Sequence, residues 1–342
     1  MKYKIIIYFL LLSLFSISCL DDNVIPIDKI ELDETATILR YIESVGDFAN
    51  TDLAPALVYA QEIFSSNSQY YILDIREPQQ YINGHIDGAI NISAVQLFNI
   101  VDSLFNVDPV KKIVIVSQNG QASSYYTCLL RIAGFKNIYS LNYGMASWNM
   151  FFSNEWLSAL DNKDQSYTNI EYPKKAFTHL PGLEFPAEIV SAKERTIYRV
   201  KEIIKKGFAK DISYSENIST GIANTHFLIC YGPVRLYNEF KIGGKGHPEN
   251  TVWFKDATLF EFRSIYGLQT LPNDQPILIY SGDGQLSACM VAYLTVLGYD
   301  VKTLLFGANQ LLYSRLTATP ELSEYVFSVQ DIICLLYTSD AA

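Results

Sequence analysis

The sequence predicts an α/β protein made of two copies of one unit, each a parallel sheet with helices on both faces. Short apolar runs typical of buried strands alternate with helical patterns along the chain. The second half also repeats the first: Ser117, Gly120 and Gln121 match the residues 164 positions later, which indicates two copies of one fold. In both copies an apolar run leads into a serine and a glycine-containing loop, at residues 116–123 and 280–287.

Length and composition fit two ordinary domains and argue against one class of partner. The chain has 342 residues, of which 49% are hydrophobic, and this is enough for two cores. Its formal net charge is −10, whereas a surface that binds nucleic acid needs an excess of basic residues. We therefore expect no nucleic-acid partner.

In the first unit the pattern predicts two helices and two strands. One helix is expected over residues 54–65, and strands are expected over residues 70–75 and 110–116. The helix that follows the loop is expected over residues 123–133, because Gly134 can end it.

The second unit shows the same alternation, and a linker separates it from the first. Its first helix can end at Gly207, and the apolar face of that helix consists of Ile197, Val200, Ile203 and Ile204. Strands are expected over residues 227–230, 277–280 and 301–305. Residues 157–186 contain three prolines and lack periodicity, so they are predicted to be the linker. The predicted domains therefore cover residues 37–156 and 187–333.

The loop after each central apolar run is the main candidate for a functional site. A buried strand, a tight loop and a helix N-terminus bring main-chain N–H groups together, and such a cradle suits a small anion. Ser117 and Ser281 begin the two loops. The residues expected to line them are Gln118, Asn119, Gly120, Gln121 and Ala122 in the first copy, and Gly282, Asp283, Gly284 and Gln285 in the second.

A second set of motifs gives the first unit a family resemblance. Asp74 and Arg76 flank one residue, and the stretch GHIDGAINI follows at residues 84–92. This set resembles the D-x-R and GH-I-x-GA-x-NI signature of the rhodanese family. The resemblance implies five-stranded parallel sheets, with a nucleophilic cysteine on the loop after the central strand. The second unit is similar but more eroded, since Cys230 and Gly232 stand at the positions of the acid and the arginine.

The resemblance places Ser117 and Ser281 at the nucleophile positions. Rhodanese chemistry passes a sulfane sulfur through a cysteine persulfide, and a serine hydroxyl cannot form a persulfide. It would also need an adjacent general base. Ala122 and Leu286 stand where many relatives have a cation, and Asp283 adds a negative charge. We therefore expect vestigial sites without a catalytic residue.

The remaining family positions are interpreted as framework. Asp74 and Arg76 are expected to form a polar pair inside the domain. His85 and His247 are expected to hold the junction of a strand and a loop rather than to catalyse a reaction.

Three cysteines lie within the predicted domains: Cys128, Cys230 and Cys289. Their spacings match neither a disulfide framework nor a metal site, and each lies in an apolar run, so buried thiols are expected. Cys230 is the candidate for a non-standard catalytic thiol because it ends a strand. No metal or cofactor is predicted.

The N-terminus reads as a targeting segment. Lys2 and Lys4 precede an apolar stretch over residues 5–18, which is shorter than the roughly 20 residues that cross a bilayer. Because Cys19 follows it, residues 1–18 resemble a bacterial lipoprotein signal peptide with Cys19 as the lipidation site; an ordinary secretory signal and an uncleaved anchor are the alternatives.

An acidic segment follows Cys19. Residues 19–36 are interpreted as a tether, and its acids resemble a surface-export signal of the Bacteroidota. The chain is therefore expected to be anchored by lipid to a membrane of the bacterial cell envelope, either facing the periplasm or exposed on the surface. At the other end, residues 334–342 resemble a translated sequencing adapter and are left out of the fold prediction.

Three functions are compatible with these features. The first is a catalytically inactive binding module of the cell envelope that holds a protein partner or a small anion. The alternative is an envelope sulfurtransferase of the thiosulfate type that uses a non-standard cysteine or a partner's cysteine. In the third the two units act only as spacers.

Overall fold

The structure is a computed structural model, and it describes residues 33–46, 55–162, 167–213, 222–238, 246–255 and 261–333. The predicted signal peptide, Cys19, most of the acidic tether and residues 334–342 lie outside the described residues. No helix in these ranges is long and apolar enough to cross a membrane.

The first unit is built on a five-stranded sheet. Its strands are β1 (Leu57–Val58), β2 (Tyr70–Asp74), β3 (Ile90–Asn91), β4 (Lys112–Val116) and β5 (Ile138–Leu141). They are all parallel, in the order β1-β5-β4-β2-β3. The central strand is β4, and it is buried on both faces from Ile113 to Val116.

The second unit repeats this sheet. The remaining strands are β6 (Tyr167–Thr168), β7 (Ile212–Ser213), β8 (Phe227–Tyr231), β9 (His247–Pro248), β10 (Thr251–Phe254), β11 (Ile277–Tyr280) and β12 (Val301–Leu304). Five of them form a parallel sheet in the order β10-β8-β11-β12-β7. The predicted α/β class with two five-stranded parallel sheets is therefore confirmed.

Thirteen α-helices are found among the described residues. They are α1 (Glu34–Val45), α2 (Ala60–Ser66), α3 (Pro78–Ile82), α4 (Leu97–Val107), α5 (Gln121–Ile132), α6 (Met145–Trp148), α7 (Asn154–Ala159), α8 (Ala192–Lys206), α9 (Val234–Asn238), α10 (Ile265–Leu268), α11 (Gln285–Val296), α12 (Ala308–Leu311) and α13 (Tyr313–Ala318).

The helices cover both faces of the first sheet, as the alternation of side chains along β4 shows. Ile113 and Ile115 belong to an apolar cluster that includes residues of α4 and α5. Val114 and Val116 belong to a second cluster, with residues of α2 and α6. Successive residues of a strand point to opposite faces of its sheet, so the apolar run of β4 supplies both cores.

The prediction of a helix over residues 54–65 was wrong at its start. Leu57 and Val58 form the edge strand β1, which pairs with residues 140 and 141 of β5, and the helix begins only at Ala60. Ala56 precedes the strand with a φ of 58°, a left-handed conformation that no continuous helix contains.

Helix α1 begins within the stretch interpreted as a tether. Asp33 caps it by accepting a hydrogen bond from the Ala36 amide at 2.9 Å. Two ion pairs connect the helix to later parts of the chain, one between Glu34 and Arg195 and one between Glu43 and Arg263. The segment 33–45 is therefore packed against the second half of the chain.

The predicted linker contains regular structure of its own. Helix α7 reaches into it, and β6 pairs with β9 of the second unit in an antiparallel ladder. Tyr172 also forms an isolated bridge with Val252. The linker therefore runs along the second unit.

Candidate functional site

Ser117 lies directly after β4, and its hydroxyl oxygen is surrounded by main-chain amides. The Gly120 amide donates a hydrogen bond to it at 3.1 Å, and the Ser123 amide donates another at 3.2 Å. The Ser123 hydroxyl shares a third hydrogen bond with it at 3.0 Å. Ser117 is only 4% exposed. The serine oxygen thus occupies the cradle that the loop forms.

Ser281 repeats this arrangement after β11. Its hydroxyl oxygen accepts hydrogen bonds from the Gly284 amide at 3.2 Å and from the Ser287 amide at 3.1 Å. The Ser287 hydroxyl lies 3.2 Å from the same oxygen. Ser281 is 1% exposed, so the second cradle is also filled by its own serine.

Two glutamines join the loops of the two units. Gln121 is the first residue of α5 and is fully buried. Its side-chain amide donates to the carbonyls of Gly284, at 3.1 Å, and Leu304, at 3.2 Å. Its side-chain oxygen accepts from the Phe306 amide at 2.7 Å. One side chain of the first unit therefore satisfies three main-chain groups of the second.

Gln285 makes the reciprocal contact. Its side-chain oxygen accepts a hydrogen bond from the Tyr143 amide of the first unit at 2.9 Å. Its side-chain amide donates to the Asn142 side chain at 2.8 Å and to Asp283 of its own loop at 2.7 Å. Like Gln121, it has no exposed surface. The two loops consequently lie against each other at the contact between the units.

Close approach explains the glycine at the start of each helix. Gly120 and Gly284 both adopt left-handed conformations, with φ of 86° and 81°. A Cβ atom on Gly120 would collide with the side chain of Gln285, and one on Gly284 would collide with that of Gln121. Glycine is therefore required here both by the turn and by the partner loop.

Tyr143 and Phe306 are functional residues that the sequence analysis missed. Both adopt left-handed backbone conformations, with φ of 58° and 60°, which is costly for a bulky residue. In this conformation each amide donates to a glutamine of the other unit. The sequence did hold a signal, since each residue precedes a glycine in the repeat, at Gly144 and Gly307.

An aromatic cluster covers the paired loops. Trp156 is fully buried and donates from its indole nitrogen to the Asn119 carbonyl at 3.0 Å. Its ring lies 5.1 Å from that of Tyr143, 4.9 Å from that of Phe306 and 5.2 Å from that of Phe327, measured between centroids. Both units contribute to this cluster, which contacts the first loop through the hydrogen bond from Trp156 to Asn119.

The carboxylate of Asp283 is hydrogen-bonded within its own loop. It accepts hydrogen bonds from the Gln285 amide at 2.9 Å and from the Gln285 side chain at 2.7 Å. Burial raises the pKa of this carboxyl group, and the hydrogen bonds from Gln285 partly offset the rise. The carboxylate thus organises its own loop.

Serine oxygens occupy part of the amide cradle in each of the two described loops. The amides of Gly120, Ser123, Gly284 and Ser287 are engaged by serine oxygens of their own loops. Gln118 donates to the Phe152 carbonyl at 3.0 Å, and Ala122 is half-buried. Anion binding by these loops stays a prediction.

Asp74 and Arg76 form a buried ion pair at the end of β2. One carboxylate oxygen of Asp74 lies 2.7 Å from a terminal guanidinium nitrogen of Arg76, and both side chains are at most 1% exposed. The same nitrogen donates to the Gly84 carbonyl at 2.8 Å. The pair thus fixes the segment around Gly84 to the strand end.

His85 and His247 occupy matching positions in the two units. His85 stacks on Tyr81 with ring centroids 3.9 Å apart, and His247 stacks on Tyr237 at 3.5 Å. In each pair a ring nitrogen of the histidine hydrogen-bonds to the carbonyl of the same tyrosine, at 3.0 Å and 3.3 Å. These contacts hold local backbone and involve neither serine.

The cysteines of the described chain are all buried. Cys230 lies in β8 with no exposed surface, and its thiol lies near the Tyr280 hydroxyl. Cys128 and Cys289 lie in α5 and α11, which pack together. The described ranges contain no group of three or more His, Cys, Asp or Glu residues arranged to hold a metal ion.

Comparisons with known proteins identify relatives of the first unit. Residues 58–151 match the family model of the rhodanese-like domain. Thiosulfate sulfurtransferase GlpE of Pseudomonas entomophila is 31% identical over 84 residues, which cover 25% of this chain and 74% of that protein. The GlpE protein of Shewanella oneidensis is 33% identical over 78 residues, covering 23% of this chain and 74% of that protein.

Solved structures give a weaker match. SseA from Escherichia coli, a 3-mercaptopyruvate sulfotransferase with the rhodanese fold, is 17% identical with a TM-score of 0.26. The alignment covers 73% of this chain and 97% of SseA. Since the structural similarity is low, the sequence matches carry the comparison.

Proposed function

This chain belongs to the rhodanese family, and from that premise we propose that it is a catalytically inactive member that serves as a binding or interaction module. The main support for this proposal is the position and burial of the serine in each of the two loops. A serine stands where the family resemblance puts the nucleophile of each loop, and its oxygen is buried and accepts hydrogen bonds from the amides of its own loop.

The chemistry of sulfur transfer supports this proposal. A thiolate attacks the sulfane sulfur and keeps it as a persulfide, and thiols supply that anion because their pKa is about 8.5. A hydroxyl needs a general base to become a nucleophile. Among the described residues, the hydrogen-bond partners of the Ser117 hydroxyl are two main-chain amides and the Ser123 hydroxyl. None of these groups is a general base.

Burial also argues against a substitute thiol. Cys230 was the candidate because it ends a predicted strand, but it has no exposed surface. A catalytic thiol must reach both a sulfur donor and an acceptor, and reactive cysteines are partly exposed. The alternative of an active sulfurtransferase therefore has little support from the described part of the chain.

We expect the purified protein to release no thiocyanate from thiosulfate and cyanide above the rate without protein. The reason is that neither loop can form a persulfide. GlpE of Pseudomonas entomophila, assayed in parallel, serves as the positive control. Turnover that disappears when the thiols are alkylated would contradict the proposal. Mass spectrometry after incubation with thiosulfate adds a second readout: a gain of one sulfur atom on Cys230 would favour the alternative.

We further propose that the chain is anchored to a bacterial envelope membrane through a lipid on Cys19. The support is the basic and apolar leader that precedes this cysteine, and two or more acyl chains give stable anchoring. Expression of the full chain in a bacterial host with a clickable fatty acid should label the protein, and Cys19→Ala should abolish the label. Equal labelling of the two proteins would rule out this anchor.

A further inference from the structure

Two cysteines that are distant in sequence meet at the contact between the units. Cys128 and Cys289 are 161 positions apart. They lie in α5 and α11, the helices that follow the two serine loops and pack against each other. Their spacing gave no indication of a pair, because the contact is created by the docking of one unit on the other.

Both cysteines are buried in an apolar cluster. Cys128 is 3% exposed and Cys289 is 1% exposed, and both belong to the largest apolar cluster of the described chain. The two thiols hydrogen-bond to each other, and the guanidinium of Arg131 lies near both. Cys230 belongs to a different cluster, on the opposite side of the second sheet.

We propose that Cys128 and Cys289 form a disulfide that covalently joins the two units and locks their serine loops together. The oxidant is a disulfide, either a small molecule or a protein thiol oxidase. In the exchange each cysteine loses one proton and one electron, one S–S bond forms between them, and the S–S bond of the oxidant breaks to leave two thiols. No sulfur is transferred. The inference is independent of whether the loops bind a ligand.

Geometry and environment both favour this bond. A disulfide needs two cysteines whose Cα atoms lie roughly 4.4–6.8 Å apart, and the contact between the Cys128 and Cys289 thiols across two packed helices is compatible with such a bridge. Disulfides persist in oxidising compartments outside the cytosol, which is where the predicted leader would send the chain. The bond would close a long segment of chain, and this restricts the unfolded state strongly.

Burial determines when the bond forms. Burial raises the pKa of the Cys128 thiol well above its usual value, and the contact with Cys289 raises it further. The thiolate that attacks a disulfide is therefore scarce in the closed state. We expect the bond to form while the units dock during folding, and afterwards to resist added reductant until the protein unfolds.

The test is to refold the reduced full chain with oxidised glutathione, block remaining thiols and digest it with trypsin without reductant. Cleavage after Lys112, Arg131, Arg263 and Lys302 places Cys128 and Cys289 in separate peptides, residues 113–131 and 264–302. Mass spectrometry should find these two peptides linked in most molecules. The oxidised protein should also melt several degrees above the reduced one.

Matched variants separate this bond from general thiol oxidation. Cys128→Ser should abolish the linked peptide and the shift in melting temperature, whereas Cys230→Ser should keep both. The proposal is overturned if wild-type protein yields no linkage between the two peptides. It is also overturned if Cys230 is linked to either cysteine as often as they are linked to each other, since that pattern indicates random oxidation of an unfolded chain.

Discussion

Arg76→Ala should lower the free energy of unfolding by about 3–5 kcal/mol, because it leaves the buried carboxylate of Asp74 without its positively charged partner. Both side chains are at most 1% exposed, and Arg76 also satisfies the Gly84 carbonyl. The guanidinium carbon further lies 5.0 Å from the ring of Phe152, a contact that alanine would lose. Urea unfolding followed by circular dichroism measures the change.

Two controls distinguish the effect of losing the ion pair from the effect of losing any arginine side chain. Arg40 is an exposed arginine of α1, and Arg40→Ala should change stability by no more than about 0.5 kcal/mol. The double variant Asp74→Ala with Arg76→Ala should cost clearly less than the sum of the two single variants, because it leaves no unpaired buried charge. Additive costs would show that the two groups are not coupled, against the geometry described.

Gln121→Ala should lower the free energy of unfolding by about 3 kcal/mol, because it leaves the buried Phe306 amide without its partner, at roughly 1–3 kcal/mol, and removes two further hydrogen bonds, at about 1 kcal/mol each. The three groups that Gln121 contacts are the Phe306 amide and the carbonyls of Gly284 and Leu304, and the two carbonyls keep hydrogen bonds from the Ala288 and Gly307 amides. All three belong to the second unit, so the loss should loosen the contact between the units. Chemical denaturation measures the cost.

Three further glutamine variants make this prediction specific. Gln121→Leu nearly keeps the side-chain volume but not the hydrogen bonds, and it should be about as destabilising as Gln121→Ala. Gln285→Ala should cost a similar amount, since it also leaves one buried main-chain amide, that of Tyr143, without its partner and removes two further hydrogen bonds, to Asn142 and Asp283. Gln69→Ala, at an exposed position, should be nearly neutral. If leucine at position 121 restored the stability of the wild type, packing and not hydrogen bonding would explain the effect.

Fully buried strands were the easiest elements to predict. The run over residues 277–280 coincides with β11, because a parallel strand buried on both faces is apolar along its whole length. The edge strand β1 was missed since it has only two residues and pairs on one side. A strand of two residues is too short to show an alternating pattern of apolar residues, and only its pairing with β5 in the structure identifies it.

Only part of the structure of the two serine loops could be predicted from the sequence. Their strand, glycine and helix N-terminus follow from local pattern, and the structure places amides around Ser117 and Ser281 as that pattern implies. The contacts that hold the two loops against each other come from residues that are distant in sequence. Gln121 and Gln285 meet main-chain groups of the other unit, and docking of two units depends on their whole surfaces. The repeat of glutamine after Gly120 and Gly284 was the available signal.

The central claim is that the serine oxygens fill their cradles and that the two units close over them. Ser117→Cys tests it most directly, because iodoacetamide reports whether position 117 is reachable in the folded protein. We expect this cysteine to be alkylated far more slowly than the exposed control Ser68→Cys, and at a similar rate once urea unfolds the chain. Cys230 should remain unmodified in the native samples, which verifies that they are folded. Rapid alkylation of position 117 with Cys230 still protected would contradict the account.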